Sequence, residues 1–394
     1  MKQTPDSSAE LIVIGSGPSG LSTALHLVHL DPLWKDRVIL LEKEKHPRAK
    51  PCGGGITSFG VSQLQALGLP LEFPFVPVEK AELRYRNRLA TIQGQPVFIV
   101  TQRSEFDAWL ANKARAQSIR LIENSPVVGL ERTRKGICVH TPDKSYLAKA
   151  IVGADGALGY VRRWLAVRER PPRVARVLEA LVPGTGLEEV YKRKLAHFEF
   201  GALRSHLQGY FWRFPSFQGG EPFLNEGIYD SRVNGRAPKA KIKKLLDQEL
   251  RKTTPELSHI QPKGHPIRWF SPRNQISKDR VLLVGDAAGV DPLFGEGISV
   301  SLAYGRVAAN YLDHAFKRGE LNFKDYKKSF LFSPVGRYLI LRWLIVSVLV
   351  PLGKTDLLTR GVWSILGLFT RFIRPSFEMP STSKLNFPSS SDLA

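Results

Sequence analysis

The chain has 394 residues, 43% of them hydrophobic and 24% charged, a balance that suits a packed globule and excludes a largely disordered chain. Its length predicts two intertwined lobes plus a tail. The 57 Lys and Arg residues exceed the 36 Asp and Glu residues by 21 charges, so an anionic partner is expected: nucleic acid, an anionic membrane face or a phosphorylated ligand.

Residues 1–10 are polar, with no signal-peptide apolar region, which points to a cytoplasmic protein. Leu11-Ile12-Val13-Ile14 is short, β-branched and followed at once by glycines, so it reads as a buried parallel strand. Residues 21–30 look helical, and a second strand at 38–41 closes a strand–helix–strand unit. Gly53-Gly54-Gly55 is a loop. Helical patches at 58–67 and 104–117 flank strand-like stretches at 81–85 and 97–100, and further strands are expected at 119–122, 127–131, 137–141 and 149–153. The middle holds aromatic strands at 196–200 and 210–214 and a basic helix near 240–251. A short buried strand at 281–284 precedes a helix at 298–315. Two very apolar stretches follow, 338–352 and 361–373, spotted with Arg342, Arg360, Arg371 and Arg374, before a Ser/Pro-rich end. Two cysteines, Cys52 and Cys138, make no disulfide scaffold, and neither has the close Cys or His partner of a metal site, so no metal and a reducing compartment are expected.

Gly15-Ser16-Gly17-Pro18-Ser19-Gly20 is a G-x-G-x-x-G segment that follows a strand and opens a helix. Gly15 permits the tight turn, Gly17 lets a pyrophosphate approach the backbone, and Gly20 lets the helix pack on the strand. The pyrophosphate then sits on free N–H groups at the helix N-terminus, beside Pro18 and Ser19. Glu42, followed by Lys43, ends the second strand 22 residues after Gly20 and suits the ribose hydroxyls of an adenosine. This segment alone does not separate FAD from NAD. Two later segments do: Val152-Gly153-Ala154-Asp155-Gly156, and an apolar strand ending in Gly285-Asp286-Ala287-Ala288-Gly289 before a helix. Asp286 lies at a strand's C-terminal edge, where ligands bind in such sheets, and suits a ribityl hydroxyl. Asp155 is read as a cofactor contact, with a turn cap as the alternative.

Together these segments resemble the FAD-dependent oxidoreductases of the p-hydroxybenzoate hydroxylase fold. Lys50-Pro51-Cys52-Gly53-Gly54-Gly55-Ile56, Gly295-Glu296-Gly297-Ile298 and Tyr210-Phe211-Trp212-Arg213-Phe214-Pro215 narrow this, because they are similar to the K-P-C-G-G-x-I, G-E-G-I and Y-x-W-x-F-P segments of geranylgeranyl reductases. The resemblance implies an α/β fold: a Rossmann-like FAD-binding domain with an inserted, mainly antiparallel substrate domain and a helical C-terminal extension. The expected division is 1–75, 100–165 and 278–330 for the FAD-binding domain and 76–99 with 166–277 for the substrate domain. An apolar, basic helical region at 331–380 and a disordered tail at 381–394 complete it. The family reduces isolated double bonds of prenyl chains with reduced FAD. By resemblance, Arg103 contacts the flavin side, Asp286, Gly295, Gly297 and Ile298 hold the ribityl and ring portions, and Gly53 and Gly54 border substrate. In place of the G-x-G that some branches carry after Y-x-W-x-F-P, this chain has Gly227-Ile228-Tyr229.

Cys52 borders the glycine loop, where its thiol either donates a proton or lines the pocket. Tyr210, Trp212 and Phe214 alternate at period two and share one side of a strand, as a substrate wall or as core, with Phe211 and Arg213 on the other side. His197 reads as a strand-surface residue. No second G-x-G-x-x-G marks a nicotinamide domain, so the reductant is a transiently docked NAD(P)H, a ferredoxin-type partner or a reduced quinone, and the positive charge suits an acidic electron carrier or NADPH. The apolar stretch 343–352 is about half the roughly 20 residues that span a bilayer, so peripheral docking on anionic lipid is expected over a spanning helix, with two helices capping the substrate lobe as the alternative. No nucleic-acid-binding pattern accompanies the basic residues. The expected function is a prenyl-lipid reductase. The alternatives are an aromatic or quinone hydroxylase, against which Gly289 stands where hydroxylases carry His, and a non-enzymatic prenyl-lipid carrier.

Overall fold

The computed structural model describes residues 5–165, 173–183, 188–253 and 260–352. Residues 361–373 and the tail 381–394, with Arg360, Arg371 and Arg374, lie outside the described residues. Two sheets make up the chain. The first runs in the order Ser277–Lys278, Val281–Leu283, Ser145–Gly153, Ser7–Ile14, Val38–Leu41, Arg120–Ile122. Its central strands are parallel, with Leu11 opposite both Val38 and Ala150. Leu11 to Ile14 and Val38 to Leu41 are buried throughout, as strands covered on both faces must be. Gly129–Arg132 and Ile137–His140 form a hairpin that joins the Ser145–Gly153 strand antiparallel.

The first helix, Pro18–Leu30, packs along the long helix Ile298–Arg318. The two backbones meet at Gly305, where a Cβ would stand 2.5 Å from the Ser22 Cβ and 2.6 Å from the Thr23 nitrogen. Ser22 Oγ donates to the Leu302 carbonyl across the same contact. This packing holds both helix N-termini at one edge of the parallel sheet.

The second sheet runs Lys263–Arg268, Val174–Pro183, Glu221–Asp230, Gly209–Gln218, Leu195–Glu199, Val76–Tyr85, Arg88–Val100, Gly55–Thr57. All its pairs are antiparallel except that of Leu195–Glu199 with Val76–Tyr85. The expected class, α/β with a mainly antiparallel inserted sheet and C-terminal helices, therefore holds. The sheets are joined by hydrogen bonds between their aromatic and loop groups. Tyr229 Oη donates to the Pro292 carbonyl at 3.1 Å and Tyr210 Oη to the Phe294 carbonyl at 2.5 Å.

Two helices, Tyr326–Phe332 and Pro334–Leu352, close the described chain. The first docks by burying Tyr326 and Phe330, the latter stacked on Tyr304 with centroids 4.3 Å apart. The second buries Val335, Leu339 and Val346 and leaves Leu341, Leu344 and Val348 exposed.

Enlarging Gly305 tests how far the site depends on the helix pair. Gly305→Leu should lower unfolding free energy by about 1–3 kcal/mol, the usual cost of overpacking, and reduce flavin retention with it. Urea denaturation and flavin absorbance measure both.

Candidate functional site

Gly15 has φ 103°, and a Cβ there would stand 2.4 Å from the Ala154 carbonyl oxygen. A Cβ on Gly20 would stand 2.0 Å from the Gly15 carbonyl oxygen. Only glycines allow the helix to start so close to the strand end. Gly17 differs, because its face is open. The atoms nearest a Cβ there are Arg48 Nη2 at 3.7 Å and Arg103 Nη2 at 4.0 Å. Two guanidiniums thus face the helix N-terminus, which has no side-chain cap.

These cations are held by buried acids. Arg103 donates two bonds to Asp107, at 2.8 and 2.7 Å. Burial pushes the Asp107 carboxyl up, but Arg103, Arg48 and Lys50 together outweigh it and hold the group below the usual carboxylate range. Arg48 Nη2 lies 3.4 Å from Asp107 and 3.8 Å from Glu42. Its buried Nε has no hydrogen-bond partner among the described residues. Glu42 accepts from both Ser16 N–H and Ser16 Oγ at 2.8 Å, which ties the second strand to the glycine turn. Burial raises its pKa, and Arg48 with Ser16 more than offsets that. The open glycine, the uncapped helix, the unpartnered guanidinium nitrogen and the acid beneath them fit the diphosphate and ribose of FAD.

One cleft of about 290 Å³ brings the remaining predicted residues together. Gly17, Pro18, Ser19, Arg103 and Asp286 line its nucleotide side. Gly295, Gly297 and Ile298 line the side where the Ile298–Arg318 helix begins. Cys52, Gly53 and Gly54 line it together with Tyr210, Trp212 and Phe214. The three aromatics do share one side of the Gly209–Gln218 strand, and Phe211 packs on the other with Leu207 and Ile228. His197 also lies on that far side, beside Arg213 and Glu226. A Cβ on Gly53 would stand 3.2 Å from the Phe214 ring and 3.4 Å from Trp212 Nε1, so the loop rests directly on the aromatic wall. Gly54 has φ 75° and sits against the Thr101 carbonyl.

Two predicted residues go elsewhere. Lys43 is 70% exposed and pairs with Glu44 at 3.2 Å, because it lies just past the strand end with its side chain in solvent. Asp155 accepts from the Val161 N–H at 2.9 Å and caps the short Tyr160–Trp164 helix, while its neighbours Ala154 and Gly156 line the cleft. Burial pushes the Asp155 carboxyl up to about 6.

Arg48, beside the helix N-terminus, and the cleft residues His265 and Arg342 belong to no motif in the sequence. Lys50 Nζ and His265 Nε2 lie 3.7 and 3.9 Å from Asp286 Oδ2, the histidine arriving from the second sheet. Arg342 reaches the cleft from the C-terminal helix, with Nη1 2.9 Å from Asp291 and Nη2 3.6 Å from Glu296. Asp291 in turn accepts from the Leu293 and Phe294 N–H groups, and Glu296 from Thr57 Oγ1 and Tyr338 Oη. Arg342 thereby fixes the loop that carries Gly295 and Gly297. Lys50 and Glu296 belong to the K-P-C-G-G-x-I and G-E-G-I segments, and Arg103 and Asp107 stand four residues apart on one helix.

If Arg48 faces the diphosphate, Arg48→Ala should weaken FAD binding about tenfold, equivalent to about 1.4 kcal/mol, and Lys43→Ala should leave it within about twofold. Flavin fluorescence titration of apoprotein separates the two.

The FAD binding domain family matches residues 8–312. A digeranylgeranylglycerophospholipid reductase of Methanosphaera stadtmanae is 25% identical over 356 residues, 84% of this chain and 86% of that protein. A menaquinone reductase of Mycobacterium tuberculosis is 26% identical over 342 residues, 78% of this chain and 77% of that protein. The structure of a geranylgeranyl bacteriochlorophyll reductase-like protein from Thermoplasma acidophilum superposes with a TM-score of 0.75 at 21% identity and covers 92% of each chain. The chain belongs to the FAD binding domain family, as an FAD-dependent oxidoreductase.

Proposed function

We propose that this chain saturates carbon–carbon double bonds in the prenyl chain of a lipid. The observation that carries the reading is the continuity of one cleft, with nucleotide-binding loops on one side and the Tyr210, Trp212 and Phe214 wall on the other. Its lining is mostly apolar, which suits a hydrocarbon chain.

Saturating an alkene adds a hydride to one carbon and a proton to the other. Bound FAD in its reduced form would supply the hydride and return to the oxidised state. This chain holds a proton at Cys52 Sγ. Burial pushes the Cys52 thiol up, with Arg103 as the main opposing influence, so the group is a neutral thiol near pH 7. Gly53 lets the loop rest directly on Trp212 and Phe214, so the loop and these aromatics together form one wall along which a prenyl chain would lie. The names of two relatives, a digeranylgeranylglycerophospholipid reductase and a menaquinone reductase, support a lipophilic substrate of this class. In this reading the reductant is NAD(P)H or a reduced ferredoxin, and the excess of 21 positive charges favours an acidic or phosphorylated donor.

The reading extends to peripheral docking on an anionic membrane. Among the described residues no single helix is long and apolar enough to cross a membrane, and the two C-terminal helices, bent by 74°, meet that composition only as a pair. Pro334, Arg337, Leu341, Leu344 and Val348 recur at alternating spacings of three and four on the exposed side of the last helix. That stripe suits lipid, and Arg342 on the inner side lines the cleft.

Two experiments test this. Incubation of the reduced holoprotein with a geranylgeranyl lipid should add two hydrogens per double bond by mass spectrometry. Gain of one oxygen with matching oxygen uptake would make the enzyme a hydroxylase and defeat the proposal. In flotation with anionic liposomes, the double variant Leu341→Glu, Leu344→Glu should lose most of the lipid-bound fraction. Equal flotation of both proteins would remove the membrane docking.

A further inference from the structure

We propose that Glu179 is a positioning residue that fixes the Cys52 backbone beside Trp212 and so sets where the Cys52 thiol stands in the cleft. This deepens the reductase reading and rests on it for the role of Cys52. Glu179 lies in the middle of the Val174–Pro183 strand, two strands away from the wall strand. Its carboxylate accepts from the Cys52 N–H at 2.5 Å through Oε2 and from Asn225 Nδ2 at 2.9 Å through Oε1. Asn225 Nδ2 also donates to the Cys52 carbonyl at 2.9 Å. Asn225 Oδ1 accepts from Trp212 Nε1 at 2.8 Å. Both backbone polar groups of Cys52 are therefore tied, through Glu179 and Asn225, to the indole that forms the wall.

The circuit is buried: Glu179 is 8% exposed, Asn225 1% and Trp212 6%. Each bond has a defined direction. Asn225 spends its oxygen on Trp212 and its nitrogen on Cys52 and Glu179, so the amide cannot flip without losing the indole. Glu179 must accept at both oxygens. A protonated carboxyl turns one oxygen into a donor, and it then faces the Cys52 N–H or the Asn225 amide, which are both donors. The clamp is complete only when Glu179 is ionised.

Burial pushes the Glu179 carboxyl up to about 7, against the Cys52 N–H and the Asn225 amide, which favour the charged form. The charged and titratable groups facing it are Cys52 on the loop, Lys263 on the neighbouring strand and Arg103 on the helix below. A carboxyl raised in the folded protein from 4.5 to about 7 costs stability as pH rises through that window, because the unfolded chain gives up its proton first. The clamp thus tightens over the same range in which the fold loses stability. A residue with a purely structural role gives no such opposition.

The test uses FAD-loaded protein and iodoacetamide, with carbamidomethylation of Cys52 followed by peptide mass spectrometry. The second cysteine, Cys138, is buried in the first sheet and serves as the internal control. Above pH 8, Glu179→Gln and Asn225→Ala should alkylate at Cys52 several-fold faster than the unaltered protein, at unchanged flavin content. For Glu179→Gln that ratio should fall toward one as pH drops below 6. The melting temperature of Glu179→Gln relative to the unaltered protein should rise between pH 5 and pH 9. Ratios near one at every pH, in both variants, overturn the clamp. A response in alkylation from a protein that reduces no prenyl lipid supports the clamp and counts only against the substrate reading. Because Asn225→Ala removes a different member of the circuit, a folding failure of one variant leaves the other as the test.

Discussion

The absence of a side chain at Gly20 is the constraint from which the site is built. It lets the Pro18–Leu30 helix begin 2.0 Å, measured from a would-be Cβ, from the Gly15 carbonyl. That places an uncapped helix N-terminus directly over the end of the parallel sheet. The positive end of the helix and its free N–H groups then call for an anion. Glu42 fixes the turn from below through Ser16, and the guanidiniums of Arg48 and Arg103 stand opposite. The second sheet must meet this arrangement at a fixed distance. It does so through Tyr210 and Tyr229, whose hydroxyls hold the loop before the Ile298–Arg318 helix.

Charge burial in the cleft follows a common rule. Arg48, Lys50 and Arg103 are matched by Glu42, Asp107 and Asp286, and Arg342 by Asp291 and Glu296. Burying a lone ion is costly, and removing one partner of such a pair typically costs about 3–5 kcal/mol. The excess of basic residues is therefore not concentrated in the cleft, where cations and acids balance. Among the described residues, part of it stands on the outer surface, as on the Ile242–Thr253 helix, where Lys243, Lys244 and Lys252 are exposed. There it acts on approach of anionic partners rather than on binding of the flavin.

The parts of the site that were legible in the sequence are those encoded by local conformation. Gly15 and Gly54 adopt positive φ, and such positions announce themselves as glycines. Tyr210, Trp212 and Phe214 share a face because strand periodicity is two, which needs no tertiary information. The short buried strands at 11–14, 38–41 and 281–283 were equally plain. What sequence could not show depends on partners far along the chain. Cys52 and Glu179 are 127 residues apart, and Asn225 is 173 residues from Cys52. Arg48 and Arg342 are ordinary surface-type residues until the fold carries them inward. Asp155 is ambiguous in sequence for a related reason: a Gly-flanked acid after a strand serves as well to cap a helix as to hold a ligand, and here Oδ2 accepts from the Val161 N–H while the buried Oδ1 has no hydrogen-bond partner among the described residues.

The central claim is that the two sheets form one cleft, with flavin loops and aromatic wall on opposite sides of a single bound cofactor. Hydrogen exchange of apoprotein against FAD-loaded protein tests it most directly, since it needs no substrate. The account predicts that FAD slows exchange in the glycine turn at 15–20, in the loop at 52–55 and in the loop at 291–297 together. Protection confined to the glycine turn, with the other two segments unchanged, would contradict it.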